Sequence, residues 1–422
     1  MRPDKCDFLL LGIKNNFADE RVSFMILKQK DVPVCGEYDV IVAGGGVAGV
    51  SAALAAVQTG AKTLLIETQY MLGGLATAGL ITYYLPLCDG MGRQLSYGLA
   101  EKLLKLSISQ GCEDHYPKEW IEENDLEKRT KKRYKTQFNA NLFALLLEKE
   151  LKNNGVEILY GTMVTDVLLN EQKNKINAVI IENRSGCAAV IGKSFVDATG
   201  DAVVCKYAEE TTAIYKNGNT LAAWYYEFKD GKYRLREIGA RDSDEAYETI
   251  GLYEGIEAKE LSEVTVYAHQ ILLDRFLEKG RLDETHAIAT IATIPQVRMT
   301  RRICGKRTIS CADERRSFKN SIGMFGSWRK RGPAYELPFE CLCGTKIKNL
   351  LIAGRCISVE DDLWDLTRVI PVCAITGEAA GIAAAMTDDV TSIDVEKLQN
   401  EICNRGGKIH LQDIGIYDYI KE

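Results

Sequence analysis

One stretch of the chain constrains the fold more than any other, because it places a glycine loop between an apolar strand and a helix. Asp39–Ala43 is a compact apolar run of the kind that forms a buried parallel strand. The glycine sequence 44–49 follows it and leads into an Ala-rich helix predicted over 50–57. A second apolar run, 62–67, ends on an acid. This order predicts one β-α-β unit of a parallel sheet, complete within 30 residues.

The three spaced glycines of this loop each have a physical role in such a unit. Gly44 permits the tight turn, Gly46 lets the backbone approach a pyrophosphate, and Gly49 lets the helix pack on the strand. The pyrophosphate then lies at the helix N-terminus, where free N–H groups and the helix dipole favour anions. Glu67, 18 residues after Gly49, is close to the position expected for an acid that binds an adenosine ribose. The unit therefore predicts a dinucleotide site; the alternative is a glycine-rich turn with a surface glutamate.

Glycine motifs recur beyond this unit and indicate the architecture. A second glycine loop lies at 73–79, and strand–turn patterns return at 197–201 and 349–355. We therefore predict an α/β fold with a Rossmann-like nucleotide-binding domain, a parallel sheet with a β-meander, that is discontinuous in sequence and carries an inserted α+β domain. The predicted domains are an N-terminal lead-in over 1–30, the first part of the nucleotide domain over 31–205, a substrate or cap domain over 206–345, and the second part with a C-terminal helix over 346–422.

Composition argues against several other classes of protein. The net charge of -6 gives no basis for a nucleic-acid surface. The 13 Cys are irregularly spaced and form no CxxC pair, so we expect neither a disulfide framework nor a metal site, and reduced thiols fit a cytoplasmic protein. No window reaches about 18 uncharged apolar residues, and the apolar run 8–13 is too short for a signal peptide. We therefore expect no membrane span.

Several separate motifs carry a resemblance to a known family. Besides the loop at 44–49 and Glu67, they are Leu72–Gly79, Asp197–Asp201, Arg298–Gly305, Asn349–Ser358 and Arg368–Gly381. Over nearly its whole length the sequence resembles the FAD-dependent oxidoreductase family of glutathione-reductase-like flavoproteins. It has a distant likeness to the fumarate reductase flavoprotein and to the glucose-inhibited division protein A. The resemblance is specific for FAD and does not specify a substrate.

The resemblance implies that the cofactor is FAD and that these motifs surround it. Glu67 would meet the ribose, the backbone of Val164 the adenine, and Gly354 the ribityl side. A helix predicted to start at Thr376 would point its N-terminus at the flavin and stabilise its reduced, anionic form. The residues that the resemblance assigns to FAD are Gly44, Gly46, Val47, Ala48, Gly49, Glu67, Thr68, Gly73, Gly74, Thr77, Val164, Ala198, Thr199, Gly200, Asp201, Gly354, Arg355, Gly377, Ala379 and Ala380.

Few residues suggest substrate chemistry. Arg298 and Arg301 are candidates to bind an anionic substrate, because guanidinium forks suit carboxylates. The alternatives are arginines that bridge domains or contact FAD phosphates. Cys356 and Cys373 lie in motifs expected to face the flavin, where a thiolate could be redox-active, although a buried Cys is more often a small core residue.

Two charged segments are interpreted as solvated. The acidic loop 358–366 stands where relatives often carry a histidine, so no general base can be named from the sequence. The basic run 128–135 follows a group of acids and is interpreted as a helix or lid with ion pairs.

The sequence thus predicts an FAD-dependent oxidoreductase, a dehydrogenase or reductase. Hydride would pass between flavin N5 and a small organic substrate, for which the candidate arginines suggest an anion, with an unidentified electron donor or acceptor as partner. Homo-oligomerisation is possible, and no nucleic acid or membrane partner is expected. The alternative is a flavin-binding subunit or RNA-modification-type protein in which FAD is structural or serves a partner. A plain NAD-dependent dehydrogenase is disfavoured by the glycine motifs downstream of Glu67.

Overall fold

The structure is a computed structural model that describes residues 31–110, 115–123, 125–239, 251–278 and 283–421, so the predicted lead-in over 1–30 lies outside the described residues. The strands are β1 Val34–Ala43, β2 Thr63–Ile66, β3 Tyr83–Tyr84, β4 Thr136–Gln137, β5 Glu157–Leu159, β6 Met163–Leu169, β7 Ile176–Asn183, β8 Gly186–Asp197, β9 Thr212–Ile214, β10 Tyr225–Lys229, β11 Lys232–Arg236, β12 His286–Ile291, β13 Arg301–Ile303, β14 Arg316–Ser317, β15 Ser321–Gly326, β16 Ala334–Pro338, β17 Leu350–Ile352 and β18 Ile420–Lys421. The α-helices are α1 Val47–Gln58, α2 Leu99–Ser107, α3 Lys118–Ile121, α4 Leu126–Lys131, α5 Ala140–Asn153, α6 Val203–Tyr207, α7 Ala258–Glu278, α8 Asp361–Thr367, α9 Ile370–Met386 and α10 Val395–Asn404.

The main sheet has seven strands in the order β5-β2-β1-β8-β7-β6, with β17 also paired to β8. The pairs β1–β2, β1–β8, β2–β5 and β8–β17 are parallel, whereas β6, β7 and β8 form an antiparallel meander. All four residues of β2 are buried, as expected for a parallel strand covered on both faces. The predicted α/β class with a mainly parallel sheet is confirmed.

Strand β8 connects the meander to the parallel sheet. The apolar pattern predicts two short strands here, 188–191 and 195–198, but the structure has one strand of 12 residues. The polar residues 192–194 between the two predicted strands do not interrupt β8, because Gly192 and Ser194 stay paired with β1. The last residues of β8 pair with β17, so a strand from late in the chain completes a sheet that begins near residue 34.

Helix α9 begins at Ile370, earlier than the start predicted at Thr376. Pro371 lies in its first turn, where the missing N–H costs no helical hydrogen bond. The apolar residues before Thr376 resemble a strand in sequence, and this explains the wrong start. Gly377 is therefore inside the helix and not at its N-terminus.

Helices α1 and α9 pack against each other through small residues. A Cβ on Gly377 would lie 2.1 Å from the Ala48 carbonyl oxygen, and a Cβ on Gly381 would lie 2.1 Å from the Ala52 carbonyl oxygen. Only glycine allows the two backbones to approach this closely. The sequence resemblance assigns Gly377, Ala379 and Ala380 to FAD, whereas in the structure all three are buried inside α9.

A second hydrophobic cluster lies between strands β10–β12 and helix α7. Its members are Leu221, Ala223, Tyr225, Ile238, Tyr253, Val264, Ala268, Leu272, Phe276 and Val297. Residues further along, such as Met299, Ile303 and Phe325, belong to the main core. The separate cluster thus covers only the first part of the predicted 206–345 insertion.

Substituting Gly377 by Ala will destabilise the apoprotein, because the added methyl group collides with the α1 backbone. We expect a loss of about 1–3 kcal/mol in the free energy of unfolding, measured by urea denaturation. The matched control is Gly46→Ala, because a Cβ at Gly46 meets no atom within 4 Å. Gly46→Ala should lower the free energy of unfolding by only about 1 kcal/mol or less, because alanine is a poorer N-cap than glycine. An unchanged midpoint for Gly377→Ala would show that the helices can separate without cost.

The buried Glu378 side chain makes stability depend on pH. Its Oε2 accepts a hydrogen bond from the Leu99 N–H (2.9 Å), whereas its Oε1 has no partner among the described groups. Burial raises the pKa of Glu378 to about 7. The folded state therefore binds the proton more tightly than the unfolded state, and this contribution to stability is lost as pH rises from about 4.5 to about 7.

Substituting Glu378 by Gln will remove this dependence. Relative to the wild type, the variant should gain up to about 3 kcal/mol of stability between pH 5 and pH 8. Urea unfolding of both apoproteins across this range measures the difference. The exposed Glu182→Gln serves as control and should parallel the wild type. If the Glu378→Gln curve also runs parallel to the wild type, Glu378 does not titrate in this window.

Candidate functional site

A cavity of about 540 Å³ opens at the carboxyl ends of the parallel strands. Its wall includes Ala43 after β1, Ile66 and Glu67 after β2, Ala198 after β8, and Gly354 after β17. In open α/β sheets this edge is the usual place for a ligand. We call this space the inner cavity.

Most residues that the sequence assigns to FAD are in the wall of the inner cavity. They are Gly44, Gly46, Val47, Ala48, Glu67, Thr68, Gly73, Gly74, Val164, Ala198, Thr199, Gly200, Asp201, Gly354 and Arg355. Two others stand behind the wall. Gly49 packs so closely on Gly44 that a Cβ there would lie 1.8 Å from the Gly44 carbonyl oxygen. The buried Thr77 hydroxyl donates to the Leu72 carbonyl (2.5 Å) and so holds the glycine loop.

Helix α1 presents its N-terminus to the inner cavity. Its N-cap is Gly46, no side chain caps this end, and the first turn contains no acidic residue. The first N–H groups of the helix are thus available to an anion and are reinforced by the helix dipole. Because a Cβ on Gly46 would project into open space, the glycine leaves room for a group to lie against the backbone.

Glu67 ties the first glycine loop to the turn that follows β2. Its Oε2 accepts from the Gly45 N–H (2.6 Å), and its Oε1 accepts from the Gln69 N–H (2.7 Å) and the Thr68 hydroxyl (3.0 Å). A carboxylate has about four acceptor sites, so one remains for a ligand hydroxyl. Glu67 is therefore a positioning residue as well as a candidate ligand contact.

The far side of the inner cavity is formed by chain segments that are distant in sequence. Arg355 donates to the carbonyls of Val297 and Arg298, both at 3.1 Å, and pairs with Asp201 at 3.4 Å. The Thr300 hydroxyl donates to the same carboxylate at 2.6 Å. These contacts join the turn after β8, the turn after β17 and the segment before β13.

The N-terminus of α9 also reaches the inner cavity, through Val369, Ile370 and Cys373. Burial raises the pKa of the Cys373 thiol to about 12 and raises that of Cys356 further still. Both thiols are therefore protonated near neutral pH. This favours the core interpretation of the two cysteines over the redox one.

A second cavity of about 900 Å³, here called the outer cavity, adjoins the inner one. The two share Ile81, Tyr83, Leu85 and Arg368 in their walls. The charged residues that line the outer cavity are Arg133, Lys135, Arg298, Arg329, Arg331, Arg368, Glu237 and Asp365. Among the described residues of this wall, cations thus outnumber carboxylates by six to two.

The two predicted substrate arginines differ in position. Arg298 lines the outer cavity, with its guanidinium carbon 5.2 Å from the Trp224 ring centre and one hydrogen bond to the Gln296 carbonyl (3.2 Å). Burial and the charge of Arg368 lower the pKa of Arg298 to about 10, so it stays protonated at neutral pH. Arg301 is buried in β13, donates to the Asp201 carbonyl (3.3 Å) and lines neither cavity, which leaves it a structural role.

Sequence reasoning missed most of the other cations. Lys128 and Lys131 of the basic run do form ion pairs with acids on the same segment, but Arg133 and Lys135 line the outer cavity. The pairing of β4 with β3 brings this part of the run beside the cavity, because Tyr83 of β3 is in the wall. No spacing in the sequence indicates that pairing.

Tyr83 stands where the cavities meet. The Glu237 carboxyl lies near its phenol, and its ring packs edge-on against Trp224 with the ring centres 6.0 Å apart. Burial raises the pKa of both Tyr83 and Glu237. The pair can hold a proton at the junction, and the exposed Glu237 can exchange it with solvent.

Within the described ranges, no cluster of His, Cys, Asp and Glu could hold a metal ion. No single described helix is long and apolar enough to cross a membrane. Helices α8 and α9, which meet at 88°, have the length and apolar composition of a membrane span only when both are counted together. Most of α9 is buried.

Comparison with known proteins gives short or distant matches to individual relatives. Thioredoxin reductase of Ureaplasma parvum serovar 3 is 32% identical over 72 residues, which span 17% of this chain and 23% of that protein. A geranylgeranyl bacteriochlorophyll reductase-like structure from Thermoplasma acidophilum aligns with 14% identity and a TM-score of 0.44, over 88% of this chain and 82% of its own. A flavocytochrome c3 fumarate reductase aligns with 12% identity and a TM-score of 0.42, over 84% and 79%.

The match to a family is far more extensive. The family model described as FAD dependent oxidoreductase matches residues 39–222 and 223–402, which include the glycine loop, both cavities and helix α9. This covers most of the chain. The protein belongs to the FAD-dependent oxidoreductase family.

Proposed function

We propose that the inner cavity holds the FAD of this family and that the residues of its wall are the contacts. Three features support a fit: the open space above Gly46, the uncapped N-terminus of α1, and the second helix end at Val369. The helix ends suit the negatively charged parts of the cofactor. Glu67, with one free acceptor site, suits a ribose hydroxyl.

Substituting Gly46 by Ala should weaken FAD binding by about 10-fold or more, because the methyl group fills the space that the cofactor needs. FAD affinity is measured from the change in flavin fluorescence on titration into apoprotein. Since this variant is expected to fold, a loss of affinity reports on the site itself. An affinity equal to the wild type would place the pyrophosphate elsewhere.

We propose further that the protein transfers hydride between FAD and a small organic anion in the outer cavity. The shared wall of the two cavities is the observation that carries this proposal, because a molecule in one lies next to a molecule in the other. When bound, FAD supplies a centre that takes up or releases a hydride. The excess of cations around the outer cavity favours an anionic substrate.

The side chains of the outer cavity suit separate tasks in such a reaction. Arg298 can bind an anionic group, and its stacking on Trp224 fixes the guanidinium plane. Arg368, held by Asp365, keeps a positive charge at the junction. Tyr83 can give or take a proton at its hydroxyl, with Glu237 as the link to solvent. Closure of both cavities by the wall residues would limit water at the point of transfer.

The test begins with FAD-loaded protein under anaerobic conditions. Organic acids in their saturated or hydroxylated forms are screened for bleaching of the flavin absorbance at about neutral pH. Dithionite-reduced protein is then screened for reoxidation by unsaturated acids and keto acids. We expect at least one anion to act in one direction and its amide to be inert. Protein that takes up FAD but reacts with no anion would support the structural role of FAD instead.

A further inference from the structure

The cations that line the outer cavity fall into two groups by the partners that hold them. The first consists of Arg298, Arg329 and Arg368 around Asp365. Although burial raises the pKa of Asp365, the charges of Arg368 and Arg329 hold it below its usual range. Asp365 is ionised and pairs with Arg329 and Arg368, whereas no carboxylate in the described part of the chain pairs with Arg298, so the positive excess of this group lies at Arg298.

The positive excess of the first group is centred on Arg298. Among the described residues Arg298 makes no ion pair, and its one hydrogen bond is to a main-chain carbonyl. Beside it, the buried Trp224 Nε1 has no hydrogen-bond acceptor. A buried N–H without an acceptor is costly, and a guanidinium next to it attracts a negative group. A carboxylate or phosphate oxygen could accept from both donors.

The second group consists of Arg133 and Arg331. Both side chains approach the same point, because a Cβ built on Gly90 would lie 2.9 Å from Arg331 Cγ and 3.1 Å from Arg133 Nη2. Arg133 donates to the Ser327, Trp328 and Lys330 carbonyls, and Arg331 donates to the Thr130 carbonyl.

Main-chain carbonyls fix these guanidinium groups without neutralising them. In the described part of the chain neither Arg133 nor Arg331 pairs with a carboxylate. The exposed Lys135 adds a third positive charge to the same cavity wall. Positive charges that line one cavity are stabilised when an anion binds there.

The rest of the wall suits a carbon skeleton. Apolar side chains there include Ile81, Leu85, Pro86, Leu252 and Met299. A cavity with a few fixed polar groups in a largely apolar wall is the usual form of a small-molecule site. Its volume of about 900 Å³ exceeds what one small carboxylate requires.

We propose that the ligand of the outer cavity is an organic molecule with two separated anionic groups, each a carboxylate or a phosphate. One group is bound by Arg298 and the Trp224 indole N–H, and the other by Arg133 and Arg331. This inference rests on the proposed function, because it specifies the substrate class of the same cavity. It requires no chemical step and can be tested by binding alone.

The test is calorimetric titration of FAD-loaded protein with matched pairs of probes. Succinate, glutarate, adipate and suberate are compared with butyrate, valerate, hexanoate and octanoate, and 3-phosphonopropionate distinguishes a phosphate-type end from a carboxylate. We expect at least one dianion to bind about 10-fold or more tightly than its monoanion, with an advantage that shrinks as salt rises. Equal affinity within every pair, or no binding by any dianion, would overturn the proposal.

Variants then assign the two ends. Arg298→Met and Arg133→Met should each reduce the affinity of the preferred dianion about 10-fold or more, towards that of the monoanion. Arg184→Met, in an exposed residue outside both cavities, should leave it unchanged. FAD content and melting temperature establish that each variant is folded. Dianion affinity that survives Arg133→Met in folded protein would remove the second group from the site.

The failure of this inference differs from the failure of the proposed function. FAD uptake is read from absorbance and anion binding from heat, neither of which depends on turnover. Tight dianion binding without redox activity would uphold the two-ended site and refute the hydride transfer. Redox activity with a monoanion as the best substrate would uphold the hydride transfer and refute the two-ended site.

Discussion

The close contact between α1 and α9 is the constraint on which the rest of the structure depends. Gly377 and Gly381 allow the backbone of α9 to lie against that of α1. This contact sets the position of both helix N-termini, and both reach the inner cavity. The packing of α9 on α1 thus also sets the dimensions of the inner cavity.

The two cavities follow from the same arrangement. The strand ends, the glycine loops and α9 form the inner cavity. Segments from β3, the end of the basic run, residues 217–239, residues 296–299 and α8 surround the outer one. Arg355 links them, because its guanidinium binds both Asp201 and the carbonyl of Arg298. The geometry of Arg298 is therefore coupled to that of the inner-cavity wall.

Local signals in the sequence were sufficient for the fold class and much of the inner cavity. The loop at 44–49 and the acid at 67 combine backbone requirements with fixed spacing, and such features can be recognised without a structure. The role of Gly377 could not be read in this way, because glycine serves equally at a helix end and at a helix contact. The start of α9 was missed because its first turn is apolar and contains a proline.

The outer cavity shows a different limit. Its cations come from segments around residues 133, 298, 330 and 368, and only their tertiary arrangement brings them together. Arg298 was identified by its residue type, but Arg301, three positions later, was not distinguished from it. Burial in β13 and the bond to the Asp201 carbonyl separate the two, and neither property has a sequence pattern.

The pairing of β17 with β8 also has a consequence for biosynthesis. The ribosome produces β8 long before residues 350–352, so the end of β8 has an unsatisfied edge while roughly 150 further residues are made. Helix α1 is made roughly 310 residues before α9, so its apolar face stays uncovered for longer still. The nascent chain therefore exposes an aggregation-prone surface, and the wall of the inner cavity is completed only after the first turn of α9 has been made.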